Sequence, residues 1–133
     1  MINFGLKLRL GICCIIAVPF LASTVNATQE ITTDICIYGG TSGGVIAAVQ
    51  AARMGKKVSL VVVGKHLGGM TSSGLGATDV GNFGDSYIQG VTREFYTRIG
   101  QKYGSGAVFA FEPHVAELVF NEMAAEAGVN IYT

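Results

Sequence analysis

Apolar positions along this chain change their spacing several times, and each change marks an element. Asp34-Ile35-Cys36-Ile37-Tyr38 and Val58–Val63 are short, nearly continuous apolar runs. That is the pattern of parallel strands covered on both faces. Between them, Val45–Met54 carries Ala47, Ala48, Ala51 and Ala52, small residues that let a helix lie close on a sheet. Gly55 follows, in the position of a left-handed cap. Further on, Ile88, Val91, Phe95 and Ile99 recur at three- and four-residue intervals. They predict an amphipathic helix over Tyr87–Tyr103, with Arg93, Glu94, Arg98 and Lys102 outward. Pro113 suits a first helical position, Val115, Leu118, Val119 and Met123 form another apolar stripe, and Gly128 suits the cap that ends it. Val129–Tyr132 reads as the start of a further strand, within which the sequence stops.

The order strand, glycine turn, helix, strand over Asp34–Val63 has the length, about 30 residues, of a right-handed βαβ crossover. The expected fold is therefore α/β: a Rossmann-like dinucleotide-binding unit with a parallel sheet and helices, incomplete at its C-terminus. The turn is Gly39-Gly40-Thr41-Ser42-Gly43-Gly44. In such a turn the first glycine permits the sharp bend, the second lets the backbone approach a pyrophosphate, and the third lets helix and strand pack closely. The helix N-terminus then faces the phosphates. Gly39 and Gly44 fill the first and third places, and Thr41 stands in the second. The end of the second strand normally offers an acid to the ribose hydroxyls. Here it reads Val61-Val62-Val63-Gly64, with no acid. Lys65 and His66 are the polar candidates nearby, for the ribose or for a phosphate, against the plainer reading of ordinary surface residues. The loop Gly64–Asp79 that follows holds five glycines and suits neither helix nor strand. A long irregular loop in a compact domain is often functional.

Length and composition fit one globular domain: 133 residues, half of them apolar and 14% charged. Formal net charge is zero, and without a basic patch no nucleic-acid partner is expected. Residues 1–27 read separately. Lys7 and Arg9, then the apolar run Leu10–Ala22, then Val25-Asn26-Ala27, have the three-part form of a secretory signal peptide. The run is shorter than the roughly 20 residues of a spanning helix, so no stable membrane insertion is expected after cleavage. The expected location is periplasmic or secreted. Cleavage removes Cys13 and Cys14, and Cys36 alone cannot form an internal disulfide. Its place in an apolar strand predicts a small buried hydrophobe.

Three segments together carry a resemblance: residues 38–48 around the glycine turn, 64–79 with Leu67-Gly68-Gly69-Met70-Thr71-Ser72, and 111–117, Phe-Glu-Pro-His-Val-Ala-Glu. They resemble the N-terminal part of a bacterial FAD-dependent oxidoreductase family, the xanthan lyase-like flavoproteins. The resemblance covers Asp34–Thr133, and the middle segment is the specific one. It implies FAD as cofactor and a small-molecule substrate. It also implies that Gly39, Gly40, Ser42, Gly43 and Gly44 contact the FAD pyrophosphate. Gly68, Gly69, Met70, Thr71 and Ser72 would run along the pyrophosphate toward the flavin. Thr41 matches a form the group tolerates, whereas Val62 departs from the acid many members carry. Members of the group are several hundred residues long, so residues 28–133 correspond to the N-terminal portion of their FAD-binding domain.

The sequence names no catalytic residue. His66 and His114 read as surface or packed histidines, and Asp79, Asp85 and Glu112 have no metal-ligand spacing. The leading expectation is the FAD-binding portion of an exported oxidoreductase, with the flavin carrying the redox chemistry. Two others stand beside it. One is a truncated, non-catalytic fragment, suggested by the ending within a strand. The other is an NAD-binding module, which would not need the long loop.

Overall fold

A computed structural model describes residues 30–76, 78–80 and 86–133. The segment read as a signal peptide, with Cys13 and Cys14, lies outside the described residues, as does Asp85. The elements are β1 (Ile35–Tyr38), α1 (Ser42–Arg53), β2 (Val58–Val61), a 3-10 turn (Gly69–Ser72), α2 (Gly90–Lys102), α3 (Pro113–Ala127) and β3 (Asn130–Tyr132). All three strands are parallel, in the order β1-β2-β3. Ile37 pairs with Leu60 and Leu60 with Ile131. This is one half of the doubly wound arrangement, in which the second strand lies between the first and third.

The βαβ reading holds, with shifted boundaries. α1 starts at Ser42, three residues before the alanine-rich segment, because Thr41 caps it: the Thr41 hydroxyl accepts from the Gly44 N–H at 3.2 Å. α2 starts at Gly90 rather than Tyr87. α3 begins at Pro113 as expected and ends at Gly128, whose left-handed backbone (φ 74°) closes it. Its stripe is displaced, however. Val115, Ala116, Val119, Phe120, Met123 and Ala124 are buried, while Leu118 is 47% exposed. Small Ala116 and Ala124 face inward because α3 packs closely on α1, a fit that hydrophobicity alone does not reveal.

The core lies between the sheet and the three helices. Val45, Ala48 and Val49 of α1, Val58 and Leu60 of β2, Phe95 and Ile99 of α2 and Phe120 and Met123 of α3 are essentially inaccessible to water. Phe95 stacks on Phe120 with centroids 4.3 Å apart and meets Phe111 edge-on at 6.2 Å. Fully burying side chains of this size contributes about 1.5–3 kcal/mol each.

Two expectations about β1 are corrected together. Among the described residues helices cover only one face of the sheet. Ile35 and Ile37 turn toward them, and the alternate residues Cys36 and Tyr38 turn away. Cys36 is therefore exposed, not a buried hydrophobe, and Tyr38 is 76% exposed. An apolar strand reads as two-sided, but period-two alternation still assigns every second residue to the face without helices.

Ion pairs cross the outer surfaces of the helices. Arg53 of α1 binds the Glu94 carboxylate of α2 through both guanidinium branches, at 2.6 and 2.9 Å. Arg98 of α2 holds both Glu94 and Glu126 of α3, and Lys102 reaches Glu122 at 2.6 Å. Hydrogen bonding from Arg53, then the charges of Arg53 and Arg98, hold the Glu94 carboxyl below its ordinary range. Arg98 does the same to Glu126. A carboxyl depressed in the folded state stabilises the fold above its unfolded pKa of about 4.3, and that contribution fades as pH falls through the folded value. Glu94→Gln is therefore expected to lower stability at pH 7 by at most about 1 kcal/mol, the upper end for solvent-screened pairs. Urea melts at pH 7 and pH 3 check this, because the difference from wild type should close at pH 3. An equal difference at both values would assign the loss to packing rather than charge.

Candidate dinucleotide site

The site begins at the carboxyl end of β1. Gly39 takes a φ of 114°, a conformation that side chains rarely adopt, and the chain turns sharply into α1. A Cβ on Gly44 would lie 2.1 Å from the Gly39 carbonyl oxygen, and one on Gly40 would lie 2.6 Å from a Val62 methyl. The clearance at Gly44 is the close helix–strand approach expected of the third glycine, whereas Gly40 stands outside the three fingerprint places and its clearance is an addition. At Gly43, by contrast, a Cβ meets nothing within 4 Å. The first N–H groups of a helix lack intrahelical acceptors. Gly44 gives its own to the Thr41 hydroxyl and the Thr41–Gly68 bridge engages that of Ser42, which leaves the Gly43 N–H at the positive end of α1. Thr41, in the second glycine's place, thus serves as the cap.

The second glycine cluster is fastened onto the first. The Gly68 N–H donates to the Gly40 carbonyl at 2.8 Å, and Thr41 and Gly68 form an isolated parallel bridge. The Ser42 hydroxyl donates to the Gly68 carbonyl and lies 2.7 Å from the Thr71 hydroxyl. Its single proton is committed to Gly68, so Thr71 is the donor of that pair. The Ser72 hydroxyl bonds the carbonyls of Leu67 and Gly69. Ser42 and Thr71 therefore spend their hydroxyl protons holding the two loops together, Ser72 spends its own inside the second loop, and donation to a ligand falls to the backbone of α1. Met70 is 70% exposed.

Two hollows flank the start of α1. One, of about 220 Å³, opens at the strand ends and is lined by Gly39, Gly40, Thr41, Val62, Val63, His66 and Gly69. Val62, where an acid was absent from the sequence, is 4% exposed and packs beneath Gly40 as an apolar floor. His66 is the ionisable residue lining this cleft. Lys65 is exposed and does not line it. The other hollow, about 200 Å³, lies over Ser42, Gly43, Ile46 and Thr71, with Thr92, Phe95, Tyr96 and Phe120 as the rest of its wall. One partner escaped the sequence reading. Glu117 of α3 binds His66 Nδ1 through Oε1 at 2.8 Å. It lies 51 residues away, and no local spacing signals it.

His114 is exposed, and among the described residues no three His, Cys, Asp or Glu side chains gather to hold a metal ion. No helix of the described residues is long and apolar enough to cross a membrane.

A glycine turn crowded against its own strand, a capped helix starting directly from that turn, and a cleft at the strand ends define a dinucleotide-binding protein of Rossmann-like, α/β architecture. The chain belongs to the FAD dependent oxidoreductase family, whose model matches residues 34–133. No relative among the curated proteins matches it. The family's cofactor is FAD. The residues present fit such a group: a side chain on Gly40 or Gly44 would strike neighbouring atoms, and the helix start presents donors rather than carboxylates.

The glycines are separable by experiment. Gly44→Ala is expected to destabilise the fold by about 1–3 kcal/mol through overpacking against the Gly39 carbonyl. Gly43→Ala should fold as well as wild type or better, since alanine is favoured in a helix by up to about 1 kcal/mol, yet bind FAD more weakly. Paired melting curves and FAD titrations check both, and an unaltered FAD affinity in Gly43→Ala would remove Gly43 from the site.

Proposed function

We propose that this chain is the FAD-binding portion of an exported oxidoreductase, of the xanthan lyase-like group, acting on a small-molecule substrate. One observation carries the reading: the second glycine loop is bonded directly onto the first, Gly68 to Gly40, beside the start of α1. A nicotinamide module needs only the first turn. Bound FAD supplies the electron transfer. The chain's own residues supply the positive helix end for the pyrophosphate, the apolar floor at Val62 and the walls of the two hollows. Gly39, Gly40, Thr41, Ser42, Gly43 and Gly44 would hold the phosphates through backbone groups, and Gly68, Gly69, Met70, Thr71 and Ser72 would run alongside. Lys65 and His66 lie toward the adenosine end.

Two further parts of the proposal rest on separate observations. The outer edge of β1 carries no strand among the described residues, and doubly wound folds place their next strand there. The flavin cradle is thus to be completed by elements that pair at that edge. The leader Lys7–Ala27 supports export.

Bound flavin can be followed by its own visible absorbance and fluorescence. FAD is expected to bind saturably and to be displaced by ADP but poorly by NAD. Tighter binding of NAD, or no uptake of FAD, would overturn the reading. Export is tested independently by mass spectrometry of the protein from its native host. A mature N-terminus at Thr28 is expected, and an intact Met1 would count against it.

A further inference from the structure

We propose that His66 and Glu117 together take over the ribose contact that the end of β2 does not supply. His66 Nε2 would bond a ribose hydroxyl in the adenosine half of the cofactor, and Glu117 would position the ring. This inference rests on the dinucleotide reading above.

In folds of this class an acid at the end of the second strand accepts from the ribose hydroxyls. Here that stretch offers only Val62, buried beneath Gly40, then Val63 and Gly64. The ionisable side chain that does line the cleft is His66. Its ring is held by one atom: Nδ1 lies 2.8 Å from Glu117 Oε1. An ionised carboxylate only accepts, so Nδ1 carries a proton, and the tautomer of the neutral ring is thereby fixed. Nε2 is the ring nitrogen left for a ligand. Unprotonated, it accepts from a hydroxyl as a carboxylate would. Protonated, it donates to one. A hydroxyl can do either, so the contact survives both states.

Burial supports a division of roles. The Glu117 side chain is 24% exposed, on a helix anchored by Val119 and Phe120, whereas the His66 side chain is 76% exposed. The carboxylate is set by the core, and the imidazole stands free of it at the cleft. Removing the imidazole therefore opens no cavity. The competing explanation is that the pair merely fastens the segment after β2 to α3.

The test is displacement of FAD from the whole chain by ADP, 2′-deoxy-ADP and 3′-deoxy-ADP. Wild type is expected to prefer ADP to one deoxy analogue by about fivefold, the worth of one hydrogen bond. His66→Leu should bind ADP and that analogue alike, with no change in melting temperature. Glu117→Ala should show the same loss, and Glu117→Gln, whose amide oxygen still accepts from Nδ1, should keep most of the preference. If wild type binds FAD and ADP but treats all three nucleotides alike, the inference is overturned and the dinucleotide reading stands. The same holds if the preference survives His66→Leu, or if Glu117→Ala lowers the melting temperature without touching the preference. If neither FAD nor ADP binds, the dinucleotide reading fails and the inference falls with it.

Discussion

The helix α1 can begin where it does because nothing projects from Gly44. A methyl group there would lie 2.1 Å from the Gly39 carbonyl oxygen, inside any contact distance. That single clearance lets the first helical turn sit directly on the end of β1. It follows that the start of α1, with the Gly43 amide, lies at the carboxyl end of β1, beside a hollow that Ser42 and Gly43 line. The left-handed Gly39, the cap from Thr41 and the valine floor are all adjustments to this close approach.

The second loop is placed by residues remote in sequence. Gly68 has a φ of 103°, and a Cβ there would strike the ring of Phe120 at 2.6 Å. Phe120 in turn stacks on Phe95 of α2. The loop that lies against the glycine turn therefore rests on the same aromatic cluster that joins α2 to α3. The surface ion pairs among Arg53, Glu94, Arg98 and Glu126 span these helices as well. Their individual worth is about 1 kcal/mol or less, against 1.5–3 kcal/mol for each large side chain buried beneath them. Apolar packing thus sets the helix positions, and the charges only tie their outer surfaces.

Much of this was legible in the sequence, because the βαβ unit is local. The strands, the glycine turn, the helix α1 itself, Pro113 at a helix start and Gly128 at its end are all signals carried within a few residues, although the buried face of α1 is Val45, Ala48 and Val49, with Ala47 exposed. What stayed hidden depended on contacts between distant segments. Leu118 looks like a stripe residue until the close approach of α1 selects Ala116 and Ala124 instead. Thr41 looks like a defect in a glycine fingerprint until its hydroxyl is seen capping the helix. Ser42, Thr71 and Ser72 look like ligand contacts, yet the protons of Ser42 and Thr71 are used between the loops and that of Ser72 within the second one. Glu117 stood in a segment that carried the resemblance, but nothing signalled its pairing with His66, which lies on the far side of the intervening loop and of α2.

Among the described residues one face of the sheet carries no helix, and Cys36, Tyr38, Val61 and Tyr132 share it. The covered face carries Val58 and Leu60, both essentially inaccessible, against Val45, Ala48 and Val49 of α1. All the close contacts that shape the turn lie with that side or at the strand ends. The geometry at Gly39–Gly44 is therefore fixed by one layer of helices, whatever comes to lie on the opposite face. A dinucleotide site can be built by half a sandwich because its critical dimension is the distance between one helix and one strand.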